Sequence, residues 1–288
     1  MKIGNEIPNV KYKDRLFRFV FGENKEWLLS LYNAVNETQY DNPNDITITT
    51  LDDVIYVKMK NDVSLLLDSE LSLYEHQSTY NLNMPLRGFL YFASLYKALL
   101  TERGIDLYGK RMVKIPRPQY IVFYNGNDYA EDMIKLKLSE AYEKKSDSNE
   151  FEWTATMYNI NQGHNEDIMS QCKALSDYAK YVDKVKSKLR QGMKISIAVK
   201  EAVNEAVEEE LLEGFFQKHE KGVLEMSLTE FNEEEFVANR RAEGREEGRT
   251  ELIENALLKL KSVKDVAELL GVSVEEVKKV EGAMMSKV

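Results

Sequence analysis

Three polar side chains interrupt an apolar stretch that has the pattern of a buried β-hairpin, residues 61–77, "NDVSLLLDSELSLYEHQ". They are Asp62, Glu75 and Gln77. A buried carboxylate costs several kcal/mol unless a cation or hydrogen bonds compensate it. Mg²⁺ or Mn²⁺ is the natural partner, because both prefer oxygen ligands and bind substrate phosphates. Such an ion activates water and stabilises charge on a phosphodiester, which makes hydrolysis of a nucleic-acid backbone chemically possible.

The position of the hairpin turn decides which of these side chains face one another. A turn at Asp68 and Ser69 places Asp62 opposite Glu75, whereas a turn at Ser69 and Glu70 places Asp62 opposite Gln77. In both registers the three side chains share one face, because strand side chains alternate with a period of two. Asp68 is the reserve ligand if neither register holds.

The elements that position this hairpin follow from hydrophobic periodicity. Helical spacing predicts helices over 13–22, "KDRLFRFVFG", and about 25–36, and three strands are predicted between Ile46 and Gln77. A long helix follows, with Asn83 as its cap and Pro85 in its first turn. The later predictions are a strand at 116–126, a helix near 131–143, a strand near 151–160 and one helix over 166–189. This order predicts a mixed α/β domain over residues 1–200.

The remaining chain, residues 201–288, is predicted to be an acidic helical extension. Residues 201–250 carry 6 basic and 15 acidic residues, which accounts for most of the overall net charge of −10. A charged helix over 233–260 could join two copies of the chain as a homodimer. Residues 262–280 have a helix-turn-helix pattern, but the second helix starts with acids, which disfavours DNA and favours packing.

Cationic residues elsewhere are candidates for phosphate contacts. The segment 180–194 contains Lys186, Lys188 and Arg190, and the alternative is an ordinary solvated helix face. Arg87 and Tyr91 lie one turn apart on the long helix, and could contact phosphate or be structural.

Composition sets broader limits. Cys172 is the only cysteine, which excludes an intrachain disulfide and suits a reducing compartment. The N-terminus lacks an apolar signal region, and no segment approaches the roughly 20 apolar residues needed to span a bilayer. We therefore expect a cytoplasmic protein with no membrane partner.

Several segments together resemble the PD-(D/E)XK-type nucleases known as recombination-promoting nucleases and transposases. They are "DRLFRFVFG", the stretch from "LDDVIYVK" to "LYFASLY", "YIVFYNG" and "NINQGHN", and they occur in order through residues 1–220. The acidic tail is also similar to family members. The resemblance implies a restriction-endonuclease-like fold, with a four-stranded mixed sheet flanked by helices. It also implies a Mg²⁺-dependent DNA endonuclease linked to recombination or mobile elements.

The resemblance assigns roles by position. Asp62 is the strand acid that binds metal, Glu75 is the second carboxylate, and Gln77 takes the place of the fold's lysine. Asp14 matches the auxiliary acid of the first helix. Two departures matter: Asn61 replaces the Pro of the motif name, and Gln77 carries no positive charge. The alternative function is therefore a weak or inactive nuclease-fold protein that binds DNA or a protein partner.

Overall fold

The computed structural model describes residues 16–49, 62–127, 131–144, 151–228, 249–250, 252–260 and 262–285. The chain divides into two compact units, Met1–Glu230 and Phe231–Val288. The boundary predicted at residue 200 falls inside a helix, Ile195–Glu208, which packs within the first unit. Among the described residues, no helix has the length and apolar character that crossing a bilayer requires.

The first unit is built on a mixed sheet. Its described residues form six strands in the order β1-β2-β3-β4-β6-β5. The parallel pairs are β3 with β4 and β4 with β6, and the other neighbours are antiparallel. The strands are β1 (Thr47–Ile48), β2 (Val63–Leu67), β3 (Glu70–Gln77), β4 (Arg117–Tyr124), β5 (Met133–Lys137) and β6 (Thr154–Asn159). Six strands exceed the four that the family resemblance implies, because β5 and β6 extend the sheet beyond β4.

Helices cover both faces of the sheet. The helices of this unit are α1 (Leu16–Glu23), α2 (Lys25–Asn36), α3 (Met84–Glu102), α4 (Glu166–Gln171), α5 (Lys173–Arg190), α6 (Ile195–Glu208) and α7 (Phe215–Lys218). Residues 220–228 are also helical. Phe92 and Leu95 of α3 pack with Leu73 on one face. Phe17 of α1 and Tyr178 of α5 pack against His76 on the other. The α/β class is therefore confirmed.

Local sequence explains where the first helices begin and end. The side chain of Asn24 accepts a hydrogen bond from the backbone N–H of Trp27 at 3.0 Å, which caps the start of α2. Glu37 adopts a left-handed conformation after the last turn, and its N–H donates to the carbonyl of Asn33. Pro85 lies in the first turn of α3, where its missing N–H has no effect on the helix.

The helix predicted near 131–143 is wrong. Residues Met133–Lys137 form β5, followed by a short 3₁₀ helix at Leu138–Ala141. The alternation of Ile134 and Leu136 with lysines satisfies a strand because β6 offers a partner edge, on which these two residues face Met157 and Ala155. The helix predicted over 166–189 is interrupted at Cys172, where backbone φ is −120° and ψ is 89°.

Downstream of α6, the chain turns through left-handed residues before α7. Leu212 and Glu213 both have φ of 53°. The carboxylate of buried Asp177 on α5 accepts a hydrogen bond from the N–H of Leu212 at 3.0 Å. This contact ties the turn to α5, so the first unit continues beyond residue 200.

The second unit contains the predicted helix-turn-helix. Residues 252–260 are helical, followed by α8 (Val263–Leu270) and α9 (Val274–Met285). Gly271 ends α8 with φ of 64°, a conformation that favours glycine. Ser273 accepts a hydrogen bond from the N–H of Glu276 at 3.2 Å, which caps α9. The buried core of the second unit comprises Ile253, Leu257, Val266, Ala267, Val277 and Val280.

Candidate active site

The β2–β3 hairpin places Asp62 opposite Glu75. Val63 pairs with Tyr74, and Leu67 pairs with Glu70 across the turn. Asp68 and Ser69 have φ of 44° and 63°, the left-handed values that a two-residue type I′ turn requires. The turn therefore lies at Asp68 and Ser69, and the alternative register does not occur.

Each of these acids accepts a hydrogen bond from a backbone N–H of the neighbouring strand. The backbone N–H of Asp62 donates to Oε1 of Glu75 at 3.3 Å. The backbone N–H of His76 donates to Oδ2 of Asp62 at 2.8 Å. Each acid is thereby positioned by the main chain of the neighbouring strand, which keeps the two carboxylates at one end of the hairpin.

Arg87 compensates the charge of Glu75. The Glu75 side chain is only 1% exposed, and its Oε2 accepts a hydrogen bond from Nη2 of Arg87 at 2.9 Å. The same nitrogen donates to the hydroxyl of Tyr91 at 3.2 Å, and Nη1 lies 3.3 Å from Sδ of Met84. Burial alone lowers the pKa of Arg87, but the charge of Glu75 and the neighbouring Tyr91 and Tyr120 together outweigh burial and raise that pKa overall. The guanidinium therefore stays charged and stabilises the buried acid.

The charges of both carboxylates affect the pKa values of two tyrosines on the α3 side of the sheet. Burial raises the pKa of Tyr91 and, more strongly, that of Tyr120. The negative charges of Glu75 and, less strongly, Asp62 raise both values further. The charges of both acids therefore act on the α3 side of the sheet. Within the described part of the chain, the hydroxyl of Tyr120 has no hydrogen-bond partner.

Gln77 ends β3 on the same face as Glu75, by the strand alternation. Its side chain is 6% exposed, and Nε2 finds no hydrogen-bond partner among the described residues. Its main-chain carbonyl accepts from the N–H of Asn125 at 3.1 Å. A buried amide donor without a partner is uncommon, so this group points to a ligand or water at the site.

A glycine lets α3 approach the sheet. A Cβ on Gly88 would overlap the ring of Tyr120 and lie 3.1 Å from Nε1 of Trp153. Since Gly88 follows Arg87 directly, the close approach of this turn of α3 brings the guanidinium within reach of Glu75.

The remaining site predictions have different outcomes. Asp14 and Asn61 lie outside the described residues. Asp68 belongs to the turn, where Oδ2 accepts a hydrogen bond from the Tyr40 hydroxyl at 2.8 Å. His76 packs on the opposite face of the sheet, between Phe17 and Tyr178, as its alternation with Glu75 predicts.

The donor set suits a hard divalent cation with few protein ligands. Asp62 and Glu75 supply carboxylate oxygens, and Gln77 supplies an amide oxygen. In the described part of the chain, no group of three or more His, Cys, Asp or Glu side chains is placed to hold a metal. Mg²⁺ usually binds one or two carboxylates and keeps several waters, so two acids meet its requirement.

The basic segment of α5 is largely matched by acids of the same unit. Lys188 pairs with Glu205 at 2.6 Å and Glu201 at 3.2 Å. Lys186 donates to the carbonyl and side-chain oxygens of Asn125, at the end of β4. Arg190 is 61% exposed and lies 3.5 Å from Asp183. Of these three predicted DNA contacts, Arg190 is therefore the most accessible to solvent.

Sequence reasoning missed two positioning contacts, the Arg87–Glu75 ion pair and the Lys186–Asn125 contact. Arg87 is a predicted candidate for phosphate contact or for a structural role, but its partner Glu75 lies on another element and no sequence pattern links the two. No protein-family model, curated protein or solved structure matches this chain. The arrangement of the residues therefore has to support the functional argument.

Proposed function

We propose that this protein is a Mg²⁺- or Mn²⁺-dependent DNA endonuclease of the PD-(D/E)XK type, linked to recombination or mobile elements. The observation that carries the proposal is the pair Asp62 and Glu75, which lie opposite each other, each carboxylate accepting a hydrogen bond from a backbone N–H of the neighbouring strand. A restriction-endonuclease-like core is part of the proposal. Strands β1 to β4 supply a four-stranded mixed part of the sheet, with α1 and α3 on opposite faces.

In this proposal Asp62 and Glu75 hold the cation, and Gln77 orients a water through its amide. The bound metal supplies a more acidic water and neutralises charge on the phosphodiester. Arg87 and Tyr91 lie beside Glu75, where they can meet a phosphate of the substrate. Asp14 is the proposed auxiliary acid.

The test is cleavage of supercoiled plasmid by the pure protein with Mg²⁺ or Mn²⁺. We expect Asp62→Asn to lower the rate by about 100-fold or more, because one ligand of the metal is lost. Asp68→Asn is the matched control, since it removes the same charge from the same hairpin at its other end. An Asp62→Asn variant that cuts as fast as wild type contradicts the proposal, as does a wild-type protein that cuts with neither metal.

A second candidate is a nuclease-fold module that binds DNA or a protein without cutting. It is favoured by the uncharged Gln77 and by the ion pair that already neutralises Glu75. Fluorescence anisotropy with a labelled duplex separates the two functions. Binding that survives Asp62→Asn, with no cleavage by wild type in either metal, supports the binding module.

A further inference from the structure

Arg87 already compensates the charge of Glu75 without a metal. Glu75 is almost fully buried, and its carboxylate forms an ion pair with Arg87. A cation arriving between Asp62 and Glu75 therefore meets an arginine that holds one of its two ligands. Metal and guanidinium repel each other at such short range, so a cation bound to Glu75 weakens the contact between Arg87 and that carboxylate.

The contacts of Arg87 suit a residue that moves. Its side chain is 29% exposed, although its partner is 1% exposed. Apart from Glu75, its contacts among the described residues are with the hydroxyl and ring of Tyr91 and with the sulfur of Met84. A guanidinium has five N–H donors, and a thioether is a weak acceptor. The loss of these minor contacts opposes movement only weakly.

We propose that Arg87 is an exchangeable counter-cation, which holds Glu75 in the metal-free protein and is transferred to a DNA phosphate when a divalent cation takes that carboxylate. This inference rests on the proposed function and extends it. The planar fork of the guanidinium matches phosphate as well as carboxylate. Metal binding and phosphate binding are then coupled, and the coupling is reciprocal.

Binding of Mn²⁺ without DNA tests the first half. Free Mn²⁺ is measured by electron paramagnetic resonance as the full-length protein is titrated. We expect Arg87→Gln to bind Mn²⁺ about tenfold tighter than wild type, because the competing charge is removed. Arg117→Gln is the control: its guanidinium is 75% exposed and pairs with Glu70 at 2.8 Å, away from the site. It should leave Mn²⁺ affinity unchanged.

Binding of a labelled DNA duplex tests the second half. Ca²⁺ serves as the cation, so that binding is measured without cleavage. In wild type we expect Ca²⁺ to tighten duplex binding by about tenfold, and in Arg87→Gln this enhancement should largely disappear. An equal enhancement in both proteins overturns the transfer of Arg87 to phosphate.

The outcomes separate this inference from the proposed function. If Asp62→Asn weakens Mn²⁺ binding and Arg87→Gln does not tighten it, the exchange is wrong and the metal site stands. If wild type binds no Mn²⁺, both fail. Should Arg87→Gln not fold, the side-chain ¹⁵N–Hε resonance of Arg87 in wild type decides. Mg²⁺ should shift it and leave that of Arg117 in place, and an unmoved Arg87 resonance at saturating Mg²⁺ overturns the exchange.

Discussion

The contact between α3 and the sheet makes Gly88 a sensitive position. In an exposed helix, Gly→Ala stabilises by about 1 kcal/mol through backbone entropy. At Gly88 the added methyl overlaps the buried ring of Tyr120 and crowds Trp153. Overpacking of this kind costs about 1–3 kcal/mol, and a rigid ring in a filled core places it near the upper end. We expect Gly88→Ala to destabilise the first unit by about 2 kcal/mol.

The matched control is Gly22→Ala in α1. There the new Cβ would lie 3.6 Å from Cγ of Arg18 and 3.9 Å from Cγ2 of Val63, which is ordinary contact. We therefore expect a gain of about 1 kcal/mol at Gly22. Thermal unfolding followed by circular dichroism should show opposite shifts. At roughly 2–4 °C per kcal/mol, these are about 4–8 °C down for Gly88→Ala and about 2–4 °C up for Gly22→Ala.

Gly88→Ala should also alter the candidate site, because α3 must move outward to accept the methyl. We expect Gly88→Ala to weaken the Arg87–Glu75 contact and to change Mn²⁺ affinity, whereas Gly22→Ala should not. A Gly88→Ala variant as stabilised as Gly22→Ala would refute the close approach of α3 to Tyr120.

Three further outcomes follow from the described contacts. Ser69→Gly should raise the free energy of unfolding, measured by urea denaturation, by about 0.5–1 kcal/mol, because glycine adopts the left-handed turn without strain. Glu205→Gln should tighten duplex binding severalfold and steepen its salt dependence, since it removes one of the two acids paired with each of Lys184 and Lys188, whereas Glu208→Gln should not. Hydrogen bonds from Lys188 and Lys184 lower the pKa of Glu205, so this contact stabilises above the unfolded carboxyl pKa of about 4.3. The difference in urea midpoint between wild type and Glu205→Gln should therefore vanish as pH falls through the folded pKa.

The sequence predicted well those elements whose own residues decide their structure. The helix expected over 25–36 has those bounds in the structure, because Asn24 caps it and its apolar stripe is buried. The helix predicted over 131–143 was wrong because Ile134 and Leu138 have helical spacing whereas Ile134 and Leu136 alternate as in a strand, and only pairing with β6 selects the strand. Short apolar runs of this kind need their tertiary partner to be assigned.

The site was predictable in composition but not in geometry. Alternation alone places Asp62, Glu75 and Gln77 on one face. The register stayed open because Asp68, Ser69 and Glu70 are all polar and could each enter a turn. The partner of Glu75 depends on how closely α3 approaches the sheet, which Gly88 and Tyr120 determine together. No local pattern in either segment encodes that distance.

The turn at Asp68 and Ser69 sets the strand register, and with it which residues lie opposite each other at the far end of the hairpin. Moving it by one residue along the chain would slide each cross-strand partner by two positions. Glu75 would then lie opposite Ser64, and the two acids would separate by about 7 Å along the strands. Neither turn residue lies near the acids, yet together they select which side chains meet. In the proposed function, the pairing of the acids at one end of the hairpin therefore depends on the two residues of the exposed bend at the other end.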